Sequence, residues 1–171
     1  MPKQVTAAAN NRYCQARIHA GQYNQKLLSR AGAAEELGCI SEDSLKKYEL
    51  DLIRPPSDVV ALMADAYNQP ELRSWYCANE CPLGKDRVAE IELLPLERTS
   101  IRIHNSTKEL ESAIDLIFTV VADGVIDESE WAEIEKVKEI LTRVKTSIEE
   151  VAIAIEKQEN IKNNNERRKV K

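Results

Sequence analysis

Residues 30–49 read RAGAAEELGCISEDSLKKYE, and the fold turns on whether this run is one helix or two. Gly38 stands where a helix ends, and Ser41 is a helix-capping residue. Glu42 and Asp43 follow it, where each carboxylate is favoured by the helix dipole by about 0.3–1 kcal/mol. Ser29 caps the start of the run in the same way. The stretch therefore reads as two short helices and a tight turn, with Ala34 small enough for a close crossing and Leu45 turned to the core.

Outward from this pair, punctuation falls at Gly21, at Pro55 and Pro56, at Pro70, and at Pro82 and Gly84. Between these marks lie three more helix-sized segments: NRYCQARIHA at 11–20, SDVVALMADAYN with Ser57 as its cap, and PELRSWYCANE with Pro70 at its first helical position. Five short helices make residues 1–84 a compact globule. The chain has 171 residues, enough for two small domains, and 5% aromatic residues with five glycines lean toward an all-α fold.

After Pro95 the pattern changes. Leu96, Ser100, Ile103, Thr107, Leu110, Ile114, Ile117 and Val121 recur at alternating spacings of four and three, which is a heptad seam. The pattern breaks at Ala122, Asp123 and Gly124 and resumes at Ile134, Val137, Leu141, Val144, Ile148, Val151 and Ile155. Helices over 95–122 and 127–158 would be roughly 42 and 48 Å long, matched partners for an antiparallel hairpin over 95–158. Gly124 ends the first, and Asp127 starts the second in a capping box with Glu130. Leu116, Phe118, Ile140 and Ile153 widen the apolar stripe beyond what one hairpin covers, so a homodimer through this hairpin is expected, the alternative being that the hairpin folds back on the N-terminal globule. The polar, basic residues 159–171 are expected to be disordered.

The first half resembles the Xre-type, phage-repressor-like helix-turn-helix family over residues 12–69. The shared features are an Ala-x-x-Leu-Gly step, Ile40 and Ser41, Leu45, Tyr48 and Glu49, and Pro55 six residues further on. The resemblance implies that the second helix of the pair enters the major groove of double-stranded DNA. Glu42, Asp43, Ser44, Lys46 and Lys47 would then be its groove-facing set and Arg30 its phosphate contact. The sequence departs from the family in the longer connection QYNQKLLS, in the extra turn residue Cys39, and in Asp51 where a glycine is usual. Asp tolerates a left-handed backbone better than most residues.

Charge bears on this reading. Residues 1–84 carry nine Lys/Arg and ten Asp/Glu, and the remaining 87 carry fifteen and nineteen, so neither half is broadly basic. DNA contact must come from a local patch, since phosphate neutralisation supplies most non-specific affinity. Acids at the tip of the reading helix do not exclude base contact, because a carboxylate can accept from cytosine N4 while lysines hold phosphates. The expected function is a homodimeric, sequence-specific transcriptional regulator; the rival is a protein-interaction module on the same fold. One contiguous positive face around Arg30, Lys46, Lys47 and Arg54 favours DNA, and dispersal favours the rival.

Other constellations are weaker. Cys77 and Cys81, four apart and expected on one helix face, are one thiol pair where zinc needs four ligands, so no metal or cofactor is expected. No phosphate loop, nucleophile triad or other enzyme pattern is present. The most apolar stretch, AIDLIFTVVA, is short and interrupted by Asp115, so no membrane span is expected and the compartment is the cytoplasm.

Overall fold

The computed structural model describes residues 7–121 and 124–169, with side chains over 8–121 and 124–162. Among these residues there are seven α-helices and no strand: α1 Arg12–Ala20, α2 Arg30–Leu37, α3 Glu42–Glu49, α4 Ser57–Ala66, α5 Glu71–Asn79, α6 Leu96–Val120 and α7 Trp131–Lys169. They form two compact units that divide between Glu90 and Ile91.

In the first unit the capping residues act as their chemistry predicts. Ser29 Oγ accepts the Gly32 N–H at 3.0 Å and Ser41 Oγ accepts the Ser44 N–H at 3.0 Å. Between them Gly38 ends α2 with a left-handed φ of 72°, which glycine adopts without a Cβ penalty. The long connection before α2 winds into a 3-10 turn, Gln25–Leu28, capped by Asn24, so its extra length is folded. At α4 the expectation is corrected: Pro56 stands at the cap and Ser57 is the first helical residue. Pro56 already has the extended backbone a cap position requires (φ −61°, ψ 152°), so the helix starts directly after it. The core joins Tyr13, Leu27, Leu45, Met63, Tyr67 and Leu72 from the helices and the 3-10 turn.

The second unit is the long helix pair. Glu109 on α6 meets Arg143 on α7 at 2.6 Å, and Arg102 meets Glu150 at 3.2 Å. Seven residues back along α6 is thus matched by seven forward along α7.

The heptad expectation is half right. Ile103, Leu110 and Ile117 on α6, and Val137, Val144 and Val151 on α7, are buried or half-buried as the seam requires. The other row is displaced by one residue in both helices. Thr99, Ser106, Ala113 and Val120 are buried on α6, and Ser147 and Ala154 on α7 with Ile140 half-buried between helix turns. Ile114, Val121, Leu141, Ile148 and Ile155, placed in the seam by the sequence, are exposed. Small side chains let two helices approach closely, so the packing selects Ser and Ala over the neighbouring isoleucines.

Two further expectations are corrected. α7 has 39 residues against 25 in α6, so the helices are not matched in length. α7 runs on to Lys169, as no proline or glycine follows Gly124 and each added residue contributes one more backbone hydrogen bond. Val170 and Lys171 lie outside the described residues, as do Ala122 and Asp123 of the expected break. Gly124, at φ 80°, is described, and so is the reciprocal pair, the Asp127 N–H donating to Glu130 Oε2 at 2.9 Å and the Glu130 N–H to Asp127 Oδ1 at 3.2 Å; it closes the turn over 128–130, and α7 starts at Trp131 instead of directly after Asp127.

Candidate functional site

α3 has two faces. Leu45, Tyr48 and Glu49, at spacings of three and four, are buried, while Glu42, Asp43, Lys46 and Lys47 project outward. The outward set is four of the groove-facing residues read from the sequence. The fifth, Ser44, is half-buried, and its hydroxyl lies 2.9 Å from that of Ser41, within the cap.

The inner face is held by charge as well as by apolar packing. Glu49 is fully buried, and Arg17 of α1 grips both its oxygens, Nε to Oε1 at 2.5 Å and Nη2 to Oε2 at 3.0 Å. Arg30 of α2 adds Nε to Oε2 at 2.7 Å. Arg17 also donates through Nη1 to the carbonyls of Leu27 and Leu28. One carboxylate therefore ties α1, α2 and α3 together. The buried Cys14 thiol and Tyr67 hydroxyl lie beside this cluster, and burial first, then the Glu49 charge, push both above their ordinary pKa values.

The far end of α3 is clasped by Asn11. Its side-chain oxygen caps α1 by accepting the Cys14 N–H at 3.0 Å, while its amide donates to the Tyr48 carbonyl at 3.0 Å and to Asp51 Oδ1 at 2.7 Å. Asp51 takes a φ of 55°, the left-handed conformation that its place after α3 demands, and the bond from Asn11 accompanies it.

The basic residues around α3 are mostly paired. Lys47 Nζ lies 2.7 Å from Asp43, one turn earlier, and this hydrogen bond holds the Asp43 carboxyl below its ordinary pKa. Arg30 is bonded to Glu49 and keeps 29% of its side chain exposed; Arg54 lies 3.7 Å from Glu80. Lys46 stands outside these pairs. A cleft of about 300 Å³ opens between Tyr13, Tyr48, Leu52, Arg54, Pro55 and Glu80, but its polar groups already bond one another, Tyr13 Oη donating to Glu80 at 2.8 Å.

The cysteine pair is arranged differently from the expectation. α5 ends at Asn79, so Cys81 lies beyond the helix and does not share a helix face with Cys77. The chain turns back there: the Cys81 N–H donates to the Tyr76 carbonyl at 2.9 Å, and Gly84 packs so tightly on Cys77 that a Cβ would stand 2.4 Å from its carbonyl oxygen. Among the described residues no group of three or more His, Cys, Asp or Glu is arranged to hold a metal ion, and no helix is long and apolar enough to cross a membrane.

Sequence reasoning missed Asn11, Arg17 and Tyr67. A signal for Arg17 was present, since it stands among Tyr13, Cys14, Ala16 and Ala20, which the same helix buries. An arginine on such a face needs a buried acid.

Comparison of the chain with family models, with curated proteins and with solved structures gave no match.

Proposed function

We propose that the chain is a sequence-specific DNA-binding regulator, with α2 and α3 as a helix-turn-helix and α3 as the element that enters the major groove. It works in the cytoplasm as a homodimer joined through the hairpin of α6 and α7. The observation that carries this reading is the outward face of α3: a short helix, fixed from behind by the Arg17–Glu49–Arg30 cluster, offers Glu42, Asp43, Lys46 and Lys47 to solvent. Rigid support behind a projecting polar face is what base reading requires. Lys46, Lys47 and Arg30 serve the phosphates, and Glu42 or Asp43 accepts from a cytosine.

The ion pairs favour a second reading. With Lys47, Arg30 and Arg54 each next to a carboxylate, the positive charge around α3 is dispersed, which suits an interaction module for another protein. Selection from a random DNA pool, followed by binding of the enriched site and a scrambled one at two salt concentrations, separates the two. The Asp43→Ala variant sharpens the test, because it releases Lys47 toward phosphate. Non-specific affinity should then rise and become steeper in salt by about one counterion, while any cytosine preference at the contacted position falls. No enriched sequence and no salt-dependent binding would leave the interaction module as the function.

A further inference from the structure

α3 is joined to α1 at two separate places. At one, Arg17, in the second turn of α1, grips the Glu49 carboxylate. At the other, Asn11, which caps the start of α1, donates its amide hydrogens to the Tyr48 carbonyl at 3.0 Å and to Asp51 Oδ1 at 2.7 Å. Six residues separate Asn11 from Arg17, which at a rise of about 1.5 Å per residue sets the two attachments about 9 Å apart along α1. One attachment is a pivot, and two fix a direction. Apolar packing beneath Leu45 is non-directional and yields to a small rotation, whereas hydrogen bonds do not.

Asn11 is itself held fast. It is buried, its side-chain oxygen accepts the Cys14 N–H at 3.0 Å, its own N–H donates to the Ala8 carbonyl at 3.2 Å, and its carbonyl accepts the Gln15 N–H at 3.0 Å. The end of α3 is already closed without it. The Tyr48 carbonyl accepts the Asp51 N–H at 3.2 Å as the chain reverses through the left-handed Asp51, and the Leu52 N–H bonds back to the Lys47 carbonyl at 3.0 Å. What Asn11 adds is therefore the tie between that closed end and α1. Glu42, the first residue of α3, lies seven residues from Glu49, about 10 Å along the helix. A tilt of about 10° about Glu49 moves it by about 2 Å, well beyond the ~0.5 Å within which a recognition group has to be held.

We propose that Asn11 is the positioning residue of the reading helix: by tying the closed end of α3 to the start of α1, it fixes the tilt at which Glu42 and Asp43 meet base edges, and so sets sequence selectivity while touching no base itself. This inference rests on the DNA reading above and adds the residue that aims the helix.

The test uses the full-length protein with the enriched and scrambled duplexes of the DNA selection as probes. Selectivity is the ratio of the two affinities, measured at a temperature where circular dichroism shows each variant folded. Asn11→Ser keeps a capping oxygen for α1 but lacks the reach to α3. Its selectivity should fall by about tenfold, on the order of one base contact, while affinity for the scrambled duplex, held by flexible lysines on phosphate, is unchanged. Asn11→Asp also keeps the cap and turns its second oxygen toward the Tyr48 carbonyl and the Asp51 carboxylate, so its selectivity should fall at least as far. Asp51→Asn alone should change nothing, since its oxygen still accepts from Asn11 and asparagine tolerates the left-handed backbone. The double variant Asn11→Asp, Asp51→Asn exchanges donor and acceptor across the same contact and should restore most of the lost selectivity. A purely structural residue would lower the melting temperature and leave the ratio in folded protein unchanged; that result for Asn11→Ser overturns the role. So does a double variant no more selective than Asn11→Ser. A wild type that enriches no sequence overturns the DNA reading and the role together, whereas a selective wild type with equally selective variants overturns the role alone.

Discussion

The Glu49 carboxylate gives the sharpest energetic prediction. Glu49→Gln keeps the shape of the side chain but removes its charge, leaving Arg17 with 5% of its side chain exposed and no counter-charge from α3. Removing one partner of a buried ion pair costs about 3–5 kcal/mol. The Leu27 and Leu28 carbonyls still accept from Arg17 Nη1, and Arg30 can turn outward, so the lower end applies. For a domain of this size each kcal/mol moves the midpoint by about 4–8 °C, so the first unit should melt at least about 12 °C lower. Trp75 reports on that unit through its edge-to-face contact with Tyr13, 5.5 Å between ring centres, and Trp131→Phe in both proteins removes the signal of the second tryptophan. Thermal melts followed by tryptophan fluorescence then isolate the first unit. The double variant Arg17→Met, Glu49→Leu should recover most of the loss, because two apolar side chains replace two desolvated charges. A fall below about 1 kcal/mol for Glu49→Gln would refute the argument that this carboxylate holds the three helices together.

Three further outcomes follow from the geometry. Burial, opposed by Arg102 and aided by Glu92, raises the Glu150 carboxyl above its ordinary 4.5, so its contribution to stability is full below the unfolded value and is lost as pH rises through the folded one; Glu150→Gln should therefore raise the melting point of the helix pair at pH 7 and flatten its dependence between pH 4 and pH 7, on the order of the range set by carboxylate titration. Gly84→Ala, whose Cβ would meet the Cys77 carbonyl, should cost about 1–3 kcal/mol in urea unfolding, more than Gly38→Ala, where the space is open and only the positive φ costs about 1 kcal/mol. In native protein a thiol reagent should modify the exposed Cys39 first and the buried Cys14 last, with Cys14 released only on unfolding; early labelling of Cys14 would show that α1 does not stay docked.

The helices that carry the candidate site could be read from their ends. Ser29, Gly38 and Ser41 are local signals, each acting within its own turn, and a single sequence contains all of that information. Asp51 was legible for the same reason, since a left-handed φ is a property of one residue. The helix pair was legible only in part. A spacing of four and three identifies a helix and one row of its seam, but the second row has two candidates one residue apart. Hydrophobicity favours Ile114, Ile148 and Ile155; close approach favours Ala113, Ser147 and Ala154, and the structure buries the latter. Cys81 was misplaced because four residues were assumed to span one helical turn across a point where the helix had ended. The Arg17–Glu49 tie joins residues 32 apart, and nothing in either neighbourhood names the other.

The ion pairs between α6 and α7 also govern how the chain reaches its native alignment. A regular heptad pattern tolerates sliding, because the apolar row looks nearly the same after one repeat. Here, sliding α7 by seven residues in one direction would bring Arg102 against Arg143, and sliding it in the other would bring Glu109 against Glu150. Each misaligned form begins with a repulsion where the native form has an attraction. The two ion pairs, worth little to the stability of the finished pair, act as a ratchet tooth that leaves the correct alignment as the one low-energy stop during folding.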